Sequence, residues 1–140
     1  MNKTITAIVP VKANSSRLPG KNILPFGKTN LLIHKIEQLK QVEAITDIIV
    51  SSDSDIMLEM AEKAGVKAVK RPEKYANESV PFGKFLDYLC EVMPNDHFLW
   101  ACVTSPLVEP YLYRKAVKLY FEKMEEGYDS LVTLHPMQSF

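Results

Sequence analysis

Residues 12–22 are rich in side chains that could bind an anionic ligand. This cationic loop carries Lys12, Arg17 and Lys21. Small polar residues lie between the cations, namely Asn14, Ser15 and Ser16. Small residues let backbone N–H groups approach an anion closely, and the positive side chains neutralise its charge. The composition predicts a triphosphate-binding loop, and an ordinary solvated surface loop is the alternative.

The cationic loop does not match either common glycine-rich phosphate motif. The G-x-x-x-x-G-K-[ST] spacing is absent, and Gly20 is the one glycine within residues 12–22. Both a Walker loop and a Rossmann fingerprint are therefore excluded. Any phosphate binding must come from the cations and from the small polar residues.

The position of the cationic loop supports the prediction of a ligand site. It follows Ile5–Val11, a nearly continuous apolar and β-branched run typical of a central parallel strand. It precedes an amphipathic pattern over residues 30–42, which predicts a helix. Ligands of open α/β sheets bind beyond the carboxyl ends of such strands.

Strand and helix patterns alternate along the rest of the chain. Further strands are predicted over residues 47–51, 66–69, 98–103 and 130–134, and further helices over residues 56–64, 82–93 and 109–126. This alternation predicts an α/β fold with three layers (α/β/α), a mostly parallel Rossmann-like sheet and right-handed crossovers. We expect one domain over residues 1–140, with strand order 3-2-1-4-5.

Composition narrows the classes of partner and the expected location. The formal net charge is zero, which argues against nucleic acid or an anionic membrane surface as a partner. No apolar run approaches the ~20 residues of a membrane span, and no signal peptide is evident. Cys90 and Cys102 lie in apolar patterns and are predicted to be buried free thiols. We expect a cytoplasmic location.

Two adjoining motifs resemble a known family. Residues 7–12 and 16–22 are similar to the N-terminal signature of the sugar-nucleotide cytidylyltransferases, especially the acylneuraminate (CMP-sialic acid) synthetases. Val50–Ser54 and Thr104–Leu107 agree with later stretches of that family. The resemblance implies a nucleotide-diphospho-sugar transferase sheet. It also implies a reaction that joins CTP to an acidic sugar, such as N-acetylneuraminate, and releases pyrophosphate.

The resemblance also suggests site residues. Lys12 and Lys21 would be the catalytic cations that bind the triphosphate. The nucleotide-binding set would be Lys12, Ala13, Asn14, Ser15, Arg17, Lys21, Asn22, Ser52, Asp53, Arg71 and Ser79. Thr104 and Ser105 would contact the sugar substrate.

Each of the later stretches also has a purely structural interpretation. Ser52 and Asp53 could cap a helix, because their oxygens accept hydrogen bonds from free N–H groups. Arg71 and residues 76–79 could belong to a surface loop. Thr104 and Ser105 could form a turn before a helix.

The chain departs from the family pattern at three positions. Cys102 and Val103 replace a Gln-Pro pair, and Val108 replaces an Arg. These changes remove polar partners from a site that must hold a polyhydroxy acid. They favour two alternatives: a cytidylyltransferase for another sugar, such as the spore-coat polysaccharide type, or a non-catalytic CTP-binding module.

The resemblance implies features beyond these residues. We expect the chain to be the N-terminal part of a longer catalytic domain. That domain would bind Mg²⁺ through aspartates beyond residue 140, with no metal ligands within this chain, and it would form a homodimer.

Overall fold

A computed structural model describes residues 3–15, 17–76 and 79–136 of the chain. The elements in chain order are β1 (Ile5–Val11), a 3-10 helix (Lys21–Ile23), β2 (Pro25–Phe26), β3 (Thr29–Asn30), α1 (Leu31–Leu39), β4 (Ile45–Ser52), α2 (Asp55–Lys63), β5 (Lys67–Lys70), α3 (Glu73–Ala76), α4 (Phe82–Val92), β6 (Phe98–Trp100) and α5 (Pro110–Glu125). None of the helices described is long and apolar enough to cross a membrane.

Four parallel strands form the main sheet, in the order β5-β4-β1-β6. The β-branched strand β1 lies between β4 and β6, with Val9 opposite Val50 and Ile8 opposite Trp100. The predicted α/β class is confirmed, and the predicted order holds for the first four strands. Strands β2 and β3 form a separate two-stranded antiparallel sheet, which the sequence patterns did not predict.

Helices cover both faces of the sheet because alternate side chains of β1 point in opposite directions. Ala7 and Val9 pack with apolar residues of α1, α2 and α5 in the main core. Ile8 points to the other face, where it packs with Phe85 and Leu89 of α4. The carboxyl ends of β1 and β6 therefore lie between two helical layers.

The predicted helix boundaries have clear local causes. The Asn30 side chain accepts a hydrogen bond from the Ile33 N–H at 2.9 Å and caps α1. Ser54 caps α2 in the same way, through the Met57 N–H. Gly65 and Gly127 follow the ends of α2 and α5 with positive φ angles of 76° and 95°, which glycine adopts without strain.

Two structural predictions are wrong. Residues 130–134 form no strand, and the exposed Leu134 has no neighbouring strand with which to pair. Cys90 and Cys102 are exposed rather than buried. Cys90 lies next to Leu89 on α4 and points away from the core, since successive helical residues differ by about 100° in direction. Cys102 lies just beyond the short strand β6, at the edge of the sheet.

Candidate functional site

A cleft of about 840 Å³ opens at the carboxyl ends of β1 and β6, beside α4. The cleft is lined by Pro10, Lys12, Asn14, Ser15, Arg17, Lys21, Asn22, Arg71, Tyr75, Val80, Phe82, Phe85, Trp100, Cys102, Val103 and Thr104. It therefore brings together most of the site residues suggested by the sequence, from three separate stretches of the chain.

The cationic loop is held against the end of the sheet by two side chains. Buried Asn22 donates a hydrogen bond from Nδ2 to the Lys12 carbonyl at 3.1 Å. Asp53, beyond β4, accepts a hydrogen bond from the Ala13 N–H at 2.8 Å. Gly20 turns the chain with a positive φ of 64°, just before the 3-10 helix that carries Lys21. These contacts place both lysines on one cleft.

The positive side chains of the cationic loop have no partner among the residues that the structure describes. Within the described ranges, no hydrogen bond or ion pair involves the Lys12 or Lys21 amine or the Arg17 guanidinium. By contrast, several exposed lysines elsewhere pair with carboxylates, as Lys67 does with Asp47 at 2.6 Å. The cleft is therefore positively charged and suited to a multiply charged anion.

Arg71 is a buried cation at the β5 side of the cleft, only 4% exposed. Its Nη2 donates to the Ser51 carbonyl at 3.2 Å, and its guanidinium lies 4.5 Å from the centre of the Phe85 ring. Its Nε has no hydrogen-bond partner in the described part of the chain. Burial lowers the Arg71 pKa, and the Asp53 carboxylate opposes that shift. The guanidinium thus retains an unused donor beside the cleft.

Aromatic side chains form a second wall of the cleft. This wall was not predicted from the sequence. Phe82 and Trp100 contact each other edge to face, with ring centres 5.5 Å apart. Phe85 lies 6.1 Å from Trp100 and 6.1 Å from Tyr75. The available signal was spacing in the sequence: Phe82 and Phe85 are three residues apart on α4 and therefore lie on one side of that helix.

The segment between β6 and α5, residues 101–109, is fixed by side chains of α1. We call it the β6 turn. Lys35 donates from Nζ to the Ser105 carbonyl at 2.9 Å and to the Tyr113 hydroxyl at 2.8 Å. Gln38 Nε2 donates to the Pro106 carbonyl at 2.9 Å, and His34 Nε2 bonds to the same oxygen at 2.8 Å. The backbone of this turn faces the core.

Lys35 is fully buried, which changes its acid–base behaviour. Burial lowers its pKa from 10.5 to about 8, and the nearby Cys102 opposes that shift. Burial also raises the pKa of its partner Tyr113 to about 12. No carboxylate pairs with Lys35 in the part of the chain that the structure describes. Its amine therefore serves the Ser105 carbonyl and the Tyr113 hydroxyl.

Several predicted site residues do not line the cleft. Ala13 and Asp53 instead hold the cationic loop through their mutual hydrogen bond. Ser52 is buried, and its hydroxyl accepts from the Ser54 N–H at 3.0 Å. Ser79 is exposed outside the lining, and Ser105 contributes its carbonyl to Lys35. Asp53 and Ser52 therefore make structural hydrogen bonds, and the residue that caps α2 is Ser54.

Some of the predicted site falls outside the described residues, namely Ser16, Asn77 and Glu78. Among the residues that are described, no group of three or more His, Cys, Asp or Glu side chains could hold a metal ion. The lining of the cleft also contains no carboxylate. These residues therefore do not fit a magnesium site by themselves.

Comparison with known proteins places the chain in a family. Residues 6–137 match the family described as Cytidylyltransferase. The chain is 28% identical over 116 residues to the N-acylneuraminate cytidylyltransferase of Streptococcus agalactiae, covering 81% of this chain and 28% of that protein. It is 31% identical over 121 residues to the Escherichia coli enzyme of the same name, covering 86% and 29%.

Shorter relatives and solved structures agree. The pseudaminic acid cytidylyltransferase of Campylobacter jejuni is 26% identical over 125 residues, covering 85% of this chain and 54% of that protein. A cytidylyltransferase structure from Leptospira borgpetersenii superposes with a TM-score of 0.70 at 26% identity, covering 85% of this chain and 49% of that one.

The same fold occurs in the structure of CMP:2-keto-3-deoxy-manno-octonic acid synthetase complexed with CTP. Its TM-score is 0.74 at 19% identity, over 86% of this chain and 48% of that chain. The present chain therefore spans between about a quarter and a half of the length of the relatives it matches. Because the family match covers nearly all of its residues, the chain belongs to the cytidylyltransferase family.

Proposed function

We propose that the cleft binds CTP and that the complete protein transfers its cytidylyl group to an acidic sugar, releasing pyrophosphate. The observation that carries this proposal is the placement of Lys12, Arg17 and Lys21 on one cleft at the end of β1, without partners in the described part of the chain. The family membership supports the choice of CTP as the anion.

Lys12 and Lys21 are assigned to the triphosphate. Transfer of a nucleotidyl group passes through a transition state whose charge is spread over phosphate oxygens. Fixed cations stabilise that charge without further reorganisation. A lysine supplies a compact charge, whereas the bidentate geometry of arginine is available from Arg17 alone in this loop.

Arg71 and Asn22 are assigned to the nucleoside. Asn22 is buried at the base of the cationic loop and lines the cleft, with its Nδ2 already bonded to the Lys12 carbonyl. Its amide oxygen can accept a further hydrogen bond. The unpartnered Nε of Arg71 can donate one. A donor and an acceptor at this position suit the polar edge of a pyrimidine.

The acidic sugar is proposed from the names of the relatives. These act, by name, on N-acylneuraminate, pseudaminic acid, N,N'-diacetyllegionaminic acid and 3-deoxy-manno-octulosonate. All are acidic sugars of closely related chemistry. Cys102, Val103 and Thr104 are the residues of the β6 turn that line the cleft, and one of them, Thr104, offers a hydroxyl. We therefore assign most sugar contacts to residues outside the described cleft.

Magnesium belongs to the proposal as a companion of the triphosphate. A divalent ion bound there would neutralise phosphate charge. The described residues offer it no set of carboxylates, so its protein ligands are assigned outside them. The roles assigned to residues of this chain do not depend on those magnesium ligands.

Two measurements on the complete reading frame test the proposal. Calorimetry with CTP and Mg²⁺ should show saturable binding, with weaker binding of ATP and GTP. Incubation with CTP and each named acidic sugar should release pyrophosphate with at least one of them. Absence of CTP binding would contradict the proposal at its base.

A non-catalytic CTP-binding module is the second candidate. Cys102 and Val108 favour it, because they replace the polar residues that the family places there. Under this candidate, CTP binds in the calorimeter but no acidic sugar yields a CMP-sugar. Transfer to a different class of sugar would instead favour the spore-coat type of enzyme.

A further inference from the structure

An exposed aromatic surface lies beside the cations of the cleft, and nothing assigned so far uses it. Phe82, in the first turn of α4, is 60% exposed. Its ring meets Trp100 edge to face, at an interplanar angle of 78°. We call this pair the Phe82–Trp100 surface. An exposed phenylalanine in a cleft leaves apolar area in water, which a ligand could remove.

The neighbours of this surface decide which part of a ligand it suits. Val80 precedes Phe82 by two residues, and Cys102 and Val103 follow Trp100 by two and three residues. All three line the cleft and offer little hydrogen bonding, and Thr104 adds one hydroxyl. A polyhydroxy acid placed here would leave most of its hydroxyl groups without partners, which is costly once water is excluded. A planar base has apolar faces and needs partners at its edge alone.

Arg71 lines the same cleft and contacts the same aromatic cluster. Its guanidinium lies 4.5 Å from the Phe85 ring centre, and the same Phe85 ring lies 6.1 Å from Trp100 and 6.5 Å from Phe82. Arg71 and the aromatic pair therefore all pack around the Phe85 ring. A ring resting on the Phe82–Trp100 surface would therefore lie in the same cleft as Arg71.

We propose that the Phe82–Trp100 surface stacks against the pyrimidine ring of the bound nucleotide. This inference rests on the proposed function, since it requires a nucleotide in the cleft. Stacking would hold the base while the cationic loop holds the phosphates. It explains why an apolar wall and a cationic wall face the same opening, and it leaves the acidic sugar outside this surface.

Trp100 provides a direct test because it is the single tryptophan of the chain. Its fluorescence should be quenched on titration with CTP and, at higher concentration, with cytidine. Tripolyphosphate should bind in the calorimeter with little change in emission. An emission change with CTP but none with cytidine at saturation would contradict stacking.

A substitution separates stacking from mere proximity. Phe82→Ala should weaken CTP binding by about 5- to 150-fold, the range measured for single base–aromatic contacts. It should leave the affinity for tripolyphosphate unchanged. Tyr128→Ala is the matched control, because Tyr128 is also an exposed aromatic residue, 61% exposed, and does not line the cleft. Unchanged denaturation curves confirm that both variants fold.

The outcomes distinguish this inference from the proposed function. If CTP binds normally to Phe82→Ala and leaves Trp100 emission unchanged, stacking is wrong while the CTP site stands. If an acidic sugar alone quenches Trp100 and CTP does not, the surface belongs to the sugar and stacking is again wrong. If neither CTP nor tripolyphosphate binds, the proposed function fails and stacking fails with it.

Discussion

The cationic loop and the β6 turn follow neighbouring parallel strands, yet they use positive charge in opposite ways. In the cationic loop, Lys12 and Lys21 point into the cleft and have no partner among the described residues. In the β6 turn, the cation belongs to a different element: the amine of Lys35, on α1, donates a hydrogen bond to the Ser105 carbonyl. The cationic loop thus offers positive charge to a ligand, whereas the β6 turn accepts a hydrogen bond from a positive side chain of α1.

This difference shows how a structural cation can be told from a ligand-binding one. Lys35 is fully buried, and its amine has two protein acceptors. Its charge is therefore used within the fold. The lysines of the cationic loop are partly exposed and have no acceptor in the part of the chain described, so their charge is available to a ligand. Removing a structural cation should change stability, and removing a ligand cation should change binding.

The largest expected effect on stability is that of Lys35→Ala. We expect the free energy of unfolding to fall by about 2–4 kcal/mol, because the variant leaves a cavity and removes the donor to Ser105 and Tyr113. Relief of the buried charge offsets part of this loss. Chemical denaturation at pH 7 measures the change, with Lys28→Ala as the exposed control, expected within about 0.5 kcal/mol. Equal stability of the two variants would show that Lys35 does not hold the turn.

The stability of the protein should also depend on pH through Lys35. Its pKa is lowered on folding to about 8, so between pH 8 and 10 the unfolded chain binds a proton that the folded protein has released. Stability should therefore rise with pH across this window, relative to Lys35→Met. Above pH 10 the raised pKa of Tyr113 acts in the opposite direction. Denaturation curves of both proteins at pH 7, 8, 9 and 10 measure the difference. A constant difference would contradict the assignment.

A small effect is expected for Gln38→Leu. The variant removes a donor to the Pro106 carbonyl, but His34 still bonds to that oxygen. It also removes Gln38 Oε1, a buried atom with no partner among the described residues. The two changes oppose each other, so we expect less than about 1 kcal/mol in the free energy of unfolding. A loss of several kcal/mol would mean that Gln38, rather than Lys35, fixes the β6 turn.

The sequence predicted the fold best where a single local pattern determines the secondary structure. The β-branched run of β1 predicted a central strand, and the amphipathic pattern over residues 30–42 predicted the helix that Asn30 caps. The position of the cleft was predicted because ligands of open α/β sheets bind beyond the carboxyl ends of the strands. Lys12 and Lys21 therefore lie together as expected, although their chemical role stays a prediction.

The missed features depend on tertiary neighbours. The 130–134 pattern resembles a strand, but a strand also needs a partner, and β6 pairs over only three residues, all of them with β1. Cys102 was predicted to be buried because its neighbours in the sequence are apolar. In the structure, β6 ends at Trp100, so Cys102 lies beyond the strand. Phe82 was predicted as the first residue of a helix with no role in the site, because its exposure depends on how α4 packs against the sheet.

The most direct test of the account compares the removal of one lysine from the cleft with the removal of one outside it. Lys21→Ala should weaken CTP binding by about 10- to 150-fold, the value of a charge-assisted hydrogen bond to phosphate, with stability unchanged. Lys28→Ala, at an exposed position between β2 and β3, should bind CTP as the unmodified protein does. Equal affinities of the two variants for CTP, measured by calorimetry, would contradict the central claim that the cationic loop binds the triphosphate.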